Sequence, residues 1–401
     1  MRKLILPTVL NLALLSGLGF AALSPPASAE EWRFDRSAWL RTEYSDNIRL
    51  LPGVKNDTFG LTGGFDLQAT KATEIREIDL RALASGTLYN NSDIPDDGLV
   101  SLGLGYRGDV SERSSLGLDA SFVNDSTLDN IADQTFDPGD IDPGITSIRV
   151  RRNSLDIAPS WTYDLTERSG FGLGYDLAVV EYGSGKEAAG LDNYTYQAVS
   201  GEWFFRPTER TTLNAEVQPF DYSSPDADSE YRGGMLRAGM EHRFSETLFG
   251  DFSVGAYTTS FEVGANDERE SGGVFSASLV KRDDKGGRLR ALIGRDLLPS
   301  GSGNMREADQ VLLAARRSLS ARLDIGLLSR FLRTRNIGVG ATNERQYVLV
   351  EPTFAWRLSE RLDLLASYRY RSKDDGADDK AYGNRVSLSL TYNWPGGPDL
   401  R

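Results

Sequence analysis

The chain contains, at residues 154–168, the sequence SLDIAPSWTYDLTER. Apolar or aromatic side chains occupy the odd positions from Leu155 to Leu165, and mostly polar ones occupy the even positions. A period of two places these two sets on opposite faces of a β-strand, whereas on a helix it would scatter the apolar side chains around the axis. The segment therefore predicts a strand with one apolar and one polar face, which ends in a tight turn at Thr166-Glu167-Arg168.

This turn motif, Ser/Thr-Glu-Arg or a close relative, recurs six times between alternating segments. The instances are Ser111-Glu112-Arg113, Thr166-Glu167-Arg168, Thr208-Glu209-Arg210, Ser245-Glu246-Thr247, the degenerate stretch 318–322 and Ser359-Glu360-Arg361. Two weaker turns, at 70–74 and 283–286, fit the same spacing. The repeating unit is a two-strand hairpin, because each turn joins one pair of alternating segments.

Eight turns join sixteen strands, and one more strand is expected at each end, through Trp39 to Tyr44 and from Arg385 to Trp394. Bacterial single-chain barrels have an even number of strands. We therefore predict an all-β fold, a single antiparallel transmembrane β-barrel of about 18 strands that occupies residues 30–401 as one domain.

The N-terminal residues have the pattern of a cleaved signal peptide. Arg2 and Lys3 precede the largely apolar stretch 4–23, and Ala27-Ser28-Ala29 forms a small-residue cleavage site. Residues 1–29 are therefore excluded from the fold; a membrane anchor is the alternative. An exported chain of alternating strands is either a periplasmic β protein or an outer-membrane barrel. The apolar fraction of 39% and the absence of cysteine favour a barrel in the outer membrane of a Gram-negative bacterium.

Aromatic residues and loop lengths predict the orientation. Trp161, Trp203 and Trp356 lie a few residues before short turns, and Trp394 ends the last strand, so we expect them in an aromatic girdle at the periplasmic interface. The remaining connections are long and acidic: 91–97, 124–142, 224–230, 265–270 and 374–379. Short turns on one rim and long loops on the other place both termini in the periplasm.

Three motifs together carry a family resemblance. They are Tyr44-Ser45-Asp46-Asn47-Ile48 in the first hairpin, the Ser/Thr-Glu-Arg turns, and the closing sequence VSLSLTYNW at 386–394. On these residues the chain resembles the beta-barrel porin type 2 family of Gram-negative outer-membrane proteins, although Pro395 to Arg401 extend beyond the last aromatic residue. The resemblance implies a polysaccharide-exit barrel, with a periplasmic polysaccharide-export protein as a partner.

An interior enclosed by eighteen strands is wide enough for an aqueous channel. From residue 281 onward the chain has 22 Lys and Arg against 15 Asp and Glu, whereas the preceding part has 23 against 43. One wall is therefore expected to be arginine-rich. The pore-lining candidates are Arg237, Arg290, Arg322, Asp324, Arg330, Glu351, Arg369 and Arg371. Arginine suits sugar hydroxyls, carboxylates or phosphates; alternatively, these charges pair across neighbouring strands and stabilise the wall.

Other classes of function find little support in the sequence. The only histidine, His242, falls in the lipid-facing phase, so we predict no catalytic residue, no enzyme and no cofactor. The acidic stretch from Asp125 to Asp142 matches no EF-hand spacing, so no metal site is predicted. A net charge of −13 without a basic stripe argues against nucleic acid.

Three hypotheses remain: a transport barrel that passes a polar solute and serves as an exopolysaccharide exit, a general diffusion porin, and a non-conducting structural or adhesive barrel. In each case outer-membrane lipid, lipopolysaccharide and the barrel-assembly machinery are the expected partners.

Overall fold

The computed structural model describes residues 32–127, 148–263, 266–283, 286–338, 344–376 and 380–394. The predicted signal peptide, most of the acidic loop 124–142 and the tail 395–401 lie outside the described residues. The described part forms eighteen antiparallel strands: β1 Trp32–Ser45, β2 Thr58–Ala72, β3 Arg76–Tyr89, β4 Asp97–Ser111, β5 Ser114–Ser126, β6 Arg151–Thr166, β7 Ser169–Tyr182, β8 Tyr194–Thr208, β9 Thr211–Ser224, β10 Ser229–Arg243, β11 Leu248–Val263, β12 Asn266–Arg282, β13 Arg288–Ser300, β14 Asn304–Ser320, β15 Leu323–Asn336, β16 Glu344–Arg357, β17 Leu362–Asp374 and β18 Lys380–Trp394.

The strands form one closed sheet. Each strand pairs with its neighbours in the chain, and β1 pairs with β18 from Arg36↔Trp394 to Ser45↔Arg385. Closure leaves no edge strand at this junction, which is what a barrel in hydrocarbon requires. The prediction of an eighteen-stranded antiparallel barrel is confirmed.

Eight connections, all on one rim, fall at the predicted turns; the other rim also has short connections, 225–228 and 301–303. In six of the predicted turns a Ser or Thr hydroxyl accepts a hydrogen bond from the backbone N–H two residues later, at 3.2–3.3 Å. This local bond is the physical reason for the repeated motif, because a hydroxyl at the first position stabilises the reversal of the chain. The charged residues that follow lie on the exposed rim; Glu112 and Arg113 are examples.

Side chains alternate between a lumen-facing and an outward-facing set. On β18, Leu388, Leu390 and Tyr392 are exposed on the outer face, while Ser387 and Ser389 occupy the inner phase. Exposed outward residues on β6 to β11, β13 and β14 are also apolar: Leu155, Leu173, Val199, Val217, Leu236, Val254, Ile293 and Val311. An apolar outer band of this kind is the surface that a transmembrane barrel presents to lipid. No helix among the residues that the structure describes is long and apolar enough to cross a membrane.

Both ends of the described chain lie at the rim that carries the short turns. Trp32 is paired with Lys71, next to the β2–β3 turn, and Trp394 is paired with Arg36. The opposite rim carries the loops, among them 46–57 and 183–193. Loop 183–193 is tied to the β9–β10 connection by a 2.6 Å bond from Lys186 Nζ to Asp226 Oδ2, which raises the pKa of the lysine and lowers that of the carboxyl group.

One predicted loop is wrong. Residues 265–270 were expected to form a long acidic connection, but β12 begins at Asn266 and is paired with β11 from that residue onward. The polar composition of this stretch reflects a strand that continues past the apolar band into water, where neither face needs to be apolar.

The two faces of β18 differ in their expected tolerance of charge. Leu390→Arg places a cation on the apolar outer band and is expected to lower the free energy of unfolding by about 2–4 kcal/mol, the usual penalty near a bilayer midplane. Ser389→Arg faces the lumen and should cost much less. Urea titrations of both variants folded into lipid vesicles measure the difference, and equal losses would contradict the assignment of faces.

Candidate functional site

The inner face of β15–β18 brings several cations onto adjacent rungs of the ladder. Arg330 and Arg371 both lie opposite Leu349, on either side of it. One rung nearer the short turns, Arg369 lies opposite Arg385. With their neighbours on β17 and β1 these residues form what we call the basic cluster: Arg41, Arg330, Arg369, Arg371, Lys373 and Arg385.

Three carboxylates balance only half of this charge. The Arg369 Nη2 atom lies 2.7 Å from Glu351 Oε2, and Lys373 Nζ lies 2.7 Å from Asp375 Oδ2. Glu43 is shared by Arg385, at 3.5 Å, and Arg41, at 3.6 Å. Asp375 also lies 3.4 Å from the Nε atom of Arg345, so within the described part of the chain these six cations and Arg345 share three carboxylates, and most of the side chains are buried. The cluster therefore carries a net positive charge in a poorly solvated place, where the field of each charge is strong.

Loop 46–57 folds into the barrel over this cluster. Arg371, which is 2% exposed, donates from Nη2 to the carbonyl oxygens of Asn47 at 3.3 Å and Ile48 at 3.2 Å. Leu50, which has a left-handed backbone with φ of 49°, packs into an apolar cluster with Leu332 and Tyr347. The loop thus covers the basic wall from the loop side.

A glycine on β18 permits this approach. A Cβ at Gly383 would lie 2.7 Å from the carbonyl oxygen of Asn47 and 3.0 Å from Leu50 Cδ2. The first contact is with backbone, which has no side-chain rotation to relieve it. Gly383 is therefore required for loop 46–57 to seat against the wall.

Some donors of the basic cluster have no acceptor in the protein. The Nε and Nη2 atoms of Arg330, the Nε atom of Arg371 and the hydroxyl of Tyr347 are buried and have no hydrogen-bond partner among the described residues. A buried donor left without an acceptor costs about 1–3 kcal/mol. An anion that entered this part of the lumen would supply the acceptors, since carboxylate and phosphate oxygens bond arginine strongly.

Four of the eight pore-lining candidates, Arg330, Glu351, Arg369 and Arg371, lie together at this wall. Arg322 lies in the turn between β14 and β15, where its carbonyl oxygen accepts from Arg357 N at 2.8 Å, and Arg290 is the third residue of β13. Both are close to the short-turn rim and apart from the basic cluster.

The remaining candidates form local ion pairs. Asp324 Oδ2 lies 2.5 Å from Arg316 Nη2 near the short-turn rim. Arg237 Nη2 lies 2.6 Å from Asp296 Oδ1, and its Nη1 lies 3.7 Å from Glu216 Oε2. Arg237 therefore links β10 to β13, away from the basic cluster.

Sequence reasoning missed Arg385, Lys373, Arg41 and Glu43. Two of them carried a usable signal, because Arg385 lies on the same face of its strand as Ser387 and Ser389, and Lys373 on the same face as Arg369 and Arg371. The inward fold of loop 46–57 left no such signal, since it depends on contacts with β17 and β18, more than 300 residues away.

The four tryptophans predicted to form the girdle lie on the outer face near the short-turn rim. Trp203 stacks on Phe205 with ring centroids 6.1 Å apart, and Trp394 packs on Tyr392 at 5.1 Å. Trp161 donates from Nε1 to Ser114 Oγ at 2.8 Å, and Trp356 is exposed. Their role as an interfacial girdle stays a prediction. His242 also lies on this side, where its Nδ1 is 3.0 Å from Thr211 Oγ1.

A segment of the wall next to the basic cluster also lies inside the barrel. The end of the β13–β14 hairpin, residues 296–307, is called here the tucked segment. Leu297 and Met305 pack among Tyr222, Tyr231 and Tyr257, while Leu298 packs against the apolar cluster that contains Leu50. The tucked segment therefore occupies the space between two walls and, with loop 46–57, narrows the loop side of the lumen.

No cluster of three or more His, Asp or Glu residues that could hold a metal ion occurs in the described part of the chain. Most of the acidic loop considered in the sequence lies outside that part.

The fold is similar to known outer-membrane barrels. DcaP, an outer membrane channel of Acinetobacter baumannii, matches at 12% identity and a TM-score of 0.46, with 93% of this chain and all of that chain covered. OccK2 (OpdF) of Pseudomonas aeruginosa matches at 13% identity and a TM-score of 0.48, with 90% and 98% covered. The outer membrane protein OpdK of the same organism matches at 11% identity and a TM-score of 0.46, with 90% and 99% covered.

No family model matches the sequence, and no curated protein matches it either. The resemblance to the beta-barrel porin type 2 family therefore stays a prediction. Because TM-scores below 0.5 at this identity do not establish a common function, the interior of the barrel has to supply the functional conclusion.

The seating of loop 46–57 depends on a single glycine. Gly383→Ala should displace the loop, because its Cβ would collide with the Asn47 carbonyl oxygen, and trypsin should then cleave at Arg49 and Lys55 several times faster. Gly86→Ala on β3 is the matched control, since its Cβ would come no closer than 3.8 Å to any atom. Equal cleavage rates in the two variants would contradict this role of Gly383.

Proposed function

We propose that the chain forms an outer-membrane pore for polar solutes that favours anions. The apolar outer band supports a place in the membrane, and the closed eighteen-stranded sheet encloses a lumen. The observation that carries the anion preference is the basic cluster. Among the described residues its six cations and the adjacent Arg345 share three carboxylates, and its buried donors include unpaired nitrogen atoms of Arg330 and Arg371.

The chemistry of the cluster suits a small oxyanion. Guanidinium groups bind carboxylate and phosphate through paired, charge-assisted hydrogen bonds, and a fixed positive wall lowers the barrier for an anion that sheds part of its hydration. Since the protein as a whole carries a net charge of −13, such a preference would come from the local wall and not from the overall charge.

Ion selectivity in planar bilayers tests the role of the basic cluster. Replacing Arg330, Arg369 and Arg371 with Gln should shift the reversal potential in a KCl gradient toward cations, because three positive charges leave the lumen. The control replaces Arg113, Arg168 and Arg210 with Gln, an equal charge change in exposed short turns. Identical shifts in the two variants would contradict a selective role for the basic cluster.

The orientation has a separate test in intact cells. Asp93 lies exposed in the β3–β4 loop, and Glu167 lies exposed in a short turn on the opposite rim. Because the native chain has no cysteine, Asp93→Cys should react with an impermeant thiol reagent while Glu167→Cys stays protected. The reverse labelling would place the termini outside the cell and overturn the proposed orientation.

Exit of an exopolysaccharide is the finer hypothesis, and the sequence resemblance is its only support. Loop 46–57 and the tucked segment narrow the loop side of the lumen and so favour a small solute. A deletion strain that retains polymer in the periplasm would support export. Normal secretion, together with a barrel that is silent in bilayers, would favour the structural or adhesive hypothesis.

A further inference from the structure

The ladder between β12 and β13 ends half-way along the strands. Pairs run from Arg282↔Arg288 to Phe275↔Arg295. Beyond this point, in the part that the structure describes, residues 266–274 and 296–300 do not pair with each other. Their other sides remain paired, β12 with β11 and β13 with β14. The loop-side half of the wall therefore contains a seam.

At this seam the two sheet edges overlap. Leu297 and Met305 continue the outward phase of Ile293 and Val311. Ile293 and Val311 are 47% and 44% exposed, whereas Leu297 and Met305 are only 3% and 0% exposed. The inner face of β9–β11, including Tyr222 and Tyr257, covers them. Residues of β10 and β14, four places apart in the strand order, approach within 8 Å between Cα atoms. The tucked segment thus lies behind its neighbours, inside the barrel.

A small set of polar contacts holds this overlap. Glu307 is central, since its Oε1 accepts from the Tyr257 hydroxyl of β11 at 2.8 Å; its Oε2 lies 2.6 Å from Nη2 of Arg335, its partner on the β14–β15 ladder. Two further bonds join the tucked segment to β9 and β10: the Tyr222 hydroxyl donates to the Ser300 carbonyl oxygen at 2.7 Å, and the Ser229 hydroxyl donates to that of Gly303 at 2.6 Å.

Glycines stand on both strands where they diverge. Gly272 and Gly273 precede Val274 on β12, and Gly294 precedes Arg295 on β13. A Cβ at Gly294 would lie 2.9 Å from the Phe275 carbonyl oxygen, so the backbones are close at this fork. Glycine has the widest backbone freedom of any residue, and a fork flanked by it can change direction at low cost.

The seam lies just beyond the apolar band. On the outer face of β12, Phe275 and Leu279 are exposed and apolar, whereas Ser271 and Arg269, nearer the loop, are polar. Unpaired backbone groups at this level can bond to water, which lipid would not allow. The two free edges also match, because continuing the register brings residues 270–274 opposite residues 296–300.

We propose that the tucked segment is a gate of the barrel wall, which moves between the observed position inside the lumen and a position paired with residues 270–274 of β12. Movement outward exchanges the contacts of Glu307 and Tyr222 for ladder hydrogen bonds and clears the space between the two walls. As a gate it rests on the proposed pore function, but the movement itself is independent of it.

Disulfide trapping tests the movement, because the native chain has no cysteine. Ser271→Cys with Pro299→Cys can bridge only in the paired position. Ser229→Cys with Gly303→Cys, made together with Ala227→Gly, can bridge only in the tucked one. A Cβ at Gly303 lies 3.8 Å from Ser229 Oγ, and removing the Ala227 Cβ relieves a contact of 2.5 Å with it. Ala277→Cys with Ile293→Cys, opposite each other on the existing ladder, is the control. We expect all three pairs to form.

A Ser271–Pro299 cysteine pair that stays reduced while the control pair oxidises fully would overturn the movement. The Glu307→Gln variant supplies a second test of the movement, which needs no change at Gly303. It weakens the bond to Tyr257 across the overlap, so the Ser271–Pro299 pair should form several-fold faster in its presence; an unchanged rate would count against Glu307 as the latch.

Conductance separates the gate from the pore. A moving gate should give the unbridged barrel a smaller and a larger conductance level. The disulfide of the tucked position should abolish the larger level, and the disulfide of the paired position should make it permanent. Reductant should reverse both effects. Equal conductance in both bridged states refutes the gate and leaves the pore intact. A barrel that forms both bridges yet never conducts refutes the pore and leaves the movement established.

Discussion

The rest of the structure depends on the pairing of every backbone N–H and C=O group that lies within the membrane. The chain meets this requirement by joining β1 to β18, so that the sheet has no edge at the level of the apolar band. Closure in turn fixes which side chains face inward, because a shift of one residue would exchange the two faces of a strand. The seam between β12 and β13 respects the same constraint, since the ladder is intact along the apolar part of both strands and ends where water is accessible.

With the backbone satisfied by closure, the lumen is free to carry charge. Charged side chains inside a barrel avoid lipid, and their cost is set by how well they are paired. At the basic cluster the pairing is incomplete, since Arg371 relies on the carbonyl oxygens of loop 46–57 and Arg330 retains buried donors without an acceptor. A wall that served stability alone would gain from more carboxylates. We propose that the surplus of cations serves a passing anion.

The sequence was sufficient to predict the features of the fold that depend on local interactions. The turns were predicted because a Ser or Thr hydroxyl bonds to the backbone two residues later, and the faces of the strands follow from the alternation of residues such as Ser389 and Leu390. The prediction failed where alternation ends. Residues 266–270 are polar on both faces and were interpreted as a loop, whereas they form the start of β12. The inward folds of loop 46–57 and of the tucked segment were not predictable, because they depend on contacts between residues far apart in the chain.

The central claim is that the local wall, and not the overall charge, determines which ions pass. The reversal potential of the unaltered barrel in a planar bilayer, under a KCl gradient at neutral pH, measures this directly. A potential whose sign shows chloride to be more permeant than potassium is the predicted result. A cation-selective barrel, as the net charge of −13 taken alone would suggest, would contradict the account.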